Sequence, residues 1–172
     1  MDLFFRLNLS FLRCKPTRRV LASFWAAGLL LGALAAISAD DLLASTMRTA
    51  VSGGMSISGL LSALLLPLLF SAFAVYVSKP LLLPVVFLKA FLFAYTGAGI
   101  LAAFGSAGWL IACLLMFSDA LMLPLLWCFW LRSVSQPRRE LLRSGAFCLA
   151  GAALIGCFDY CLVAPFLASL IN

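Results

Sequence analysis

The sequence predicts an all-α fold: a polytopic membrane helical bundle of about five transmembrane helices, with short interfacial helices beside them. Three observations carry that expectation. The chain of 172 residues is 65% hydrophobic and only 10% charged, with a mean hydropathy of +1.16. A soluble domain of ordinary make-up carries about 25% charged residues. The apolar residues also fall into runs long enough for helices to cross the ~30 Å hydrocarbon core, which takes about 20 residues each. Finally, ten of the twelve basic residues lie in three short segments: Arg6, Arg13, Lys15, Arg18 and Arg19; Lys79; and Arg132, Arg138, Arg139 and Arg143. The connections between them are nearly free of Lys and Arg, which is the positive-inside pattern and puts the N-terminus in the cytoplasm. The net charge of +6 therefore points to membrane lipid, through anionic headgroups, and not to nucleic acid.

Taken in order, residues 1–20 form a basic, partly amphipathic leader in which Leu3, Phe4, Phe5, Leu7, Leu9, Phe11 and Leu12 interleave with Arg6 and Arg13. That pattern suits an interfacial helix on the cytoplasmic leaflet. Residues 21–171 form a single transmembrane domain. Its first span covers 21–39. A cleaved signal peptide is the competing reading, but the apolar core exceeds the usual 7–15 residues and further spans follow. Gly28 and Gly32 make a G-x-x-x-G that allows close helix approach. Residues 40–59 form the one sizeable extracytoplasmic connection. Asp40 and Asp41 can cap a short interfacial helix there, which ends at Ser52-Gly53-Gly54.

The second span covers 60–78, with a kink expected at Pro67, and Lys79-Pro80 turns the chain in the cytoplasm. Spans three (81–104) and four (109–131) form a hairpin about Gly105 to Gly108. A polar loop from Arg132 to Arg143 leads to a fifth span, 144–171, expected to tilt or to bend near Pro165.

Lys89, Asp119 and Asp159 lie deep in these spans. A charge at the bilayer centre costs ~2.5–3.5 kcal/mol even on the lenient insertion scale, so such residues are functional candidates. At 1.5 Å per residue both aspartates fall near mid-span and Lys89 roughly 5 Å to the cytoplasmic side, so all three can meet. Gly108 and Ala112 share the helix face of Asp119, and Cys148, Ala152 and Gly156 share that of Asp159. Small residues mark helix–helix contact in lipid, so both carboxyls are expected to face protein. Thr96 extends the polar stripe of Lys89 by two turns. The plainest reading of the three charges is a register-fixing Lys–Asp pair with a protonated or hydrogen-bonded second Asp.

Six cysteines (Cys14, Cys113, Cys128, Cys148, Cys157 and Cys161) contain no C-x-x-C, and the chain has no His. These spacings favour small apolar core residues over a metal or disulfide framework. No cofactor, metal ligand set or catalytic residue is expected, and the chain reads as a non-enzyme. An intramembrane aspartyl protease finds only a loose echo in Phe158-Asp159-Tyr160, and Ser118-Asp119 lacks the Gly-x-Gly-Asp partner.

The central stretch Pro84-Val-Val-Phe-Leu-Lys89-Ala-Phe-Leu-Phe-Ala-Tyr95-Thr96-Gly97-Ala-Gly99 resembles the stage II sporulation protein M family. Its members carry Phe-Leu-Lys-Gly, then Gly-Phe-Thr and small residues here, followed by a glycine turn and a helix with Pro-Gln-Asn and a later proline. In this chain the turn is Gly105 to Gly108, and Asp119 and Pro124 stand where the family's Asn and second Pro stand. Ala90 and Ala94 replace the glycines, and Phe117-Ser118-Asp119 replaces Pro-Gln-Asn.

The resemblance covers about 50 residues closely and the five-span layout, with its basic leader, more loosely. It implies a multi-pass protein in the cytoplasmic membrane of an endospore-forming bacterium, needed for engulfment of the forespore. In that role the protein is a scaffold for two peptidoglycan-degrading partners, stage II sporulation proteins D and P. A homo-oligomer is a further partner to consider. The competing function is a small transporter or permease component with Lys89, Asp119 and Asp159 lining a path. Against it, no pair of broken helices stands at matching positions in two halves.

Overall fold

A computed structural model describes residues 16–39, 45, 57–105, 108–135, 138–163 and 165. Every regular element among them is helical. In chain order these are α1 (Arg18–Ser38), α2 (Ile57–Val77), a 3-10 turn (Lys79–Leu81), α3 (Leu82–Phe104), α4 (Gly108–Leu115), α5 (Phe117–Ser135), α6 (Arg138–Phe158) and a π-helical turn (Asp159–Val163). The leader helix and most of the 40–59 connection lie outside the described residues.

Four helices are long and apolar enough to cross a membrane: Arg18–Ser38, Lys79–Phe104, Phe117–Ser135 and Arg143–Val163. Within α2, Leu65–Val77 is a shorter apolar helix. Large apolar side chains such as Leu30, Ile37, Phe73, Trp109, Phe147 and Leu154 point outward. A water-facing surface rarely tolerates so much exposed apolar area, whereas lipid does. The chain has the build of a membrane protein.

The helix α1 begins where Thr17, in extended conformation, accepts a hydrogen bond from the Val20 N–H at 3.4 Å. Its buried stripe is Leu21, Gly28, Gly32 and Ala36, a spacing that keeps one face turned inward. That face lies along α3 in the most extensive helix contact of the fold. A Cβ at Gly28 would stand 2.5 Å from the Phe87 carbonyl oxygen, and one at Gly32 would run into the carbonyl of Phe91. Backbone touches backbone there, so only glycine fits.

The remaining core gathers where the basic segments end. Leu21, Val75, Leu82, Val86, Met122, Leu126, Phe129, Trp130 and Cys148 form one cluster, a few residues from Arg18, Lys79, Arg132 and Arg143. The Lys79 ammonium donates to the Val134 carbonyl at 3.2 Å, placing a cation on the carbonyl end of α5. The Arg132 guanidinium donates to the Ser144 hydroxyl at 3.4 Å.

Three boundaries differ from the sequence reading. The expected loop from Arg132 to Arg143 is mostly helix: α5 continues to Ser135 and α6 starts at Arg138. Arg, Glu and Leu are good helix formers, and Glu140 in the first turn of α6 complements the helix dipole. The fourth span is interrupted at Met116, which separates α4 from α5. The Met116 N–H still donates to the Ala112 carbonyl at 2.9 Å, and the Ala120 N–H to the Met116 carbonyl at 2.8 Å, so the lapse is local. In the last span, α-geometry gives way at Asp159, six residues before Pro165. Pro165 has no N–H, and the carbonyl it leaves without an α-helical partner lies in that turn. At the hairpin itself, Gly105 takes φ 58 at the end of α3, a left-handed conformation natural to glycine.

Candidate functional site

Two of the three intramembrane charges meet directly. The Lys89 ammonium, on the buried face of α3, lies 2.7 Å from the Asp119 carboxylate, with the side chains 9% and 27% exposed. Asp119 sits in the first turn of α5, just past the local lapse at Met116.

Asp159 comes to the same neighbourhood from the other side. It is fully buried, and neither carboxyl oxygen makes a hydrogen bond to any described residue. The groups within electrostatic reach of it are the hydroxyl of Ser118 and the carboxylate of Asp119. Ser118 is itself buried. Phe117 and Phe158 pack ring against ring at 5.8 Å. Phe117 precedes Ser118 and Phe158 precedes Asp159 in sequence, so that contact holds the start of α5 against the end of α6.

The other residues singled out in the sequence fall as follows. Thr96 is half-buried on α3, and no hydrogen bond joins it to the charged cluster among the described residues. Gly28 and Gly32 seat α1 on α3, as described. Gly97 makes room for Met116, whose sulfur would lie 2.8 Å from a Cβ there. Gly99 is buried in α3. Gly108 packs on the end of α3, where a Cβ would stand 2.9 Å from the Ile100 carbonyl oxygen. Ala112 and Ala152 are buried, and Gly156 is half-buried.

Sequence reasoning passed over a second polar link. The Trp130 indole N–H donates to the Ser71 hydroxyl at 2.8 Å, and Ser71 donates to the Pro67 carbonyl at 2.6 Å. This ties α5 to α2 inside the core. The signal that could have found it is a serine one turn after a helix proline, the arrangement in which a hydroxyl bonds the carbonyl four residues back. Trp25, Trp127 and Trp130 also form mutual edge and tilted contacts at 5.8–6.2 Å. With Leu123 and Pro124 they line an open apolar cavity of about 320 Å³.

Chemically, the cluster offers two carboxyls, one ammonium and one hydroxyl. Among the described residues, no group of three or more His, Cys, Asp or Glu could hold a metal ion, and Cys113, Cys128, Cys148, Cys157 and Cys161 are free thiols. What the arrangement can do is bind helices together and hold or exchange a small positive charge at Asp159. No family model, curated protein or solved structure matches the chain.

Proposed function

We propose that this protein is a non-enzymatic membrane scaffold of the stage II sporulation protein M type. In this reading it has five spans with the N-terminus in the cytoplasm of a bacterium, α2 supplying the second of them. It anchors or recruits peptidoglycan-degrading partners, stage II sporulation proteins D and P by resemblance, during forespore engulfment.

The observation that supports this reading is where the polar contacts go. The Lys89–Asp119 pair, the Trp130–Ser71 bond and the Lys79–Val134 bond each tie one helix to another. The outward faces are left apolar, suited to packing against other membrane helices. The test is co-purification in mild detergent from the native host during starvation, with mass spectrometry of the associated proteins. Recovery of cell-wall hydrolases or their membrane anchors supports the scaffold. Recovery of an ATP-binding subunit, or of this chain alone, overturns it.

A second reading, a small transporter or permease component using Lys89, Asp119 and Asp159, draws on one observation, that the Asp159 carboxyl has no hydrogen-bond partner among the described residues. Charge-neutralising variants separate the two. A transporter keeps its fold and loses flux in proteoliposomes, whereas a scaffold loses stability or partner binding.

A further inference from the structure

We infer that Asp159, with Ser118 and Asp119, forms a binding site for one monovalent cation inside the membrane domain. The cation is either a hydron or an alkali-metal ion. The inference does not rest on the scaffold reading: it concerns the same cluster, but its failure would leave that reading standing.

The argument is one of charge and satisfaction. Buried carboxyls are hydrogen-bonded, paired or neutralised, because an isolated ionised carboxylate in an apolar interior is among the costliest groups to bury. Asp159 is 0% exposed and has no donor from the described residues on either oxygen. The one ammonium in the cluster is already engaged at 2.7 Å by Asp119. Among the described residues, two carboxylates against one ammonium leave a single uncompensated negative charge. The neighbour that reaches Asp159 electrostatically besides Ser118 is the like-charged Asp119, which deepens the deficit. One added positive charge closes it. A second would overshoot, which argues against a divalent ion.

The ligand chemistry fits the same class. The groups facing Asp159 from α5 are a serine hydroxyl and a carboxylate, and Lys89 of α3 stands behind Asp119. All the acceptors are hard oxygens, which suit a hydron or an alkali ion and not a soft metal. The backbone contributes as well. Asp159 opens a π-helical turn running to Val163, and π-turns displace carbonyls from the α ladder and recur at functional sites.

The test uses the full-length protein in non-ionic detergent, with infrared spectroscopy and thermal unfolding side by side. A hydron at Asp159 gives the carbonyl stretch of a protonated carboxylic acid at neutral pH. That band shifts on carbon-13 labelling of aspartate carboxyls in the wild type and is lost in Asp159→Asn. An alkali ion gives no such band. It raises the unfolding temperature on adding sodium or lithium chloride relative to choline chloride, and Asp159→Asn abolishes the shift. Absence of both the acid band and the ion-specific shift in wild-type protein overturns the proposal. Because the isotope and salt measurements need no variant, a misfolded Asp159→Asn does not weaken the test.

Discussion

Removing the lysine of the Lys89–Asp119 pair should cost far more than removing both residues. In Lys89→Met the Asp119 carboxylate keeps its place in the first turn of α5 but loses the ammonium at 2.7 Å. Breaking a buried pair from one side typically costs ~3–5 kcal/mol, since a charge is left uncompensated. Asp119 lies in a membrane-spanning helix, where its exposed fraction meets lipid and gains little solvation. The expected loss is therefore at least ~3 kcal/mol, about two orders of magnitude in the folding equilibrium.

The double variant Lys89→Met/Asp119→Leu replaces the pair by apolar groups of similar reach, an exchange that is often neutral or stabilising. It should lie within about 1 kcal/mol of wild type, so that the double-mutant cycle returns a coupling of at least ~2 kcal/mol. Unfolding in mixed micelles, followed by the fluorescence of the Trp25, Trp127 and Trp130 cluster, reads all four corners of the cycle. If the two single costs simply add in the double variant, the residues are not coupled and the ion pair does not hold α3 to α5.

Other outcomes follow from the packing. Gly32→Val should separate α1 from α3 and destabilise by ~1–3 kcal/mol or more, because a backbone carbonyl blocks the new side chain. Gly97→Ala meets only the flexible end of Met116, so it should cost clearly less in the same assay. Ser71→Ala removes the acceptor of the Trp130 indole and should cost ~1–3 kcal/mol. Adding Trp130→Phe should then cost less than it does in the wild-type background. Single cysteines introduced into a cysteine-free background at Gln136 and at Gly54 should react with impermeant thiol reagents from opposite sides of the membrane. Labelling of both from one side would refute the five-span arrangement.

The membrane-spanning helices were legible because the bilayer imposes a length and a polarity on each, and both are written locally in the chain. The helices Arg18–Ser38, Lys79–Phe104 and Arg143–Val163 could be read from apolar runs alone. The segment from Arg132 to Arg143 is mostly helical where its polarity predicts a loop, because a charged segment at a helix end can remain helical when it reaches water. The glycines of α1 were visible as a motif, but a G-x-x-x-G does not name its partner, and only the fold shows α3 lying across it.

Sequence by itself determined that this is a helical membrane protein with three costly charges in its interior, since hydropathy and the desolvation of charge depend on residue type and run length. Tertiary structure alone decided how those charges divide. Lys89 of α3 reaches Asp119 of α5 across thirty residues of chain. Asp159 finds no hydrogen-bond partner among the described residues, and the Phe117–Phe158 contact holds its helix end against the start of α5. Pairing is a matter of distances across helices far apart in the chain, and no local pattern encodes them.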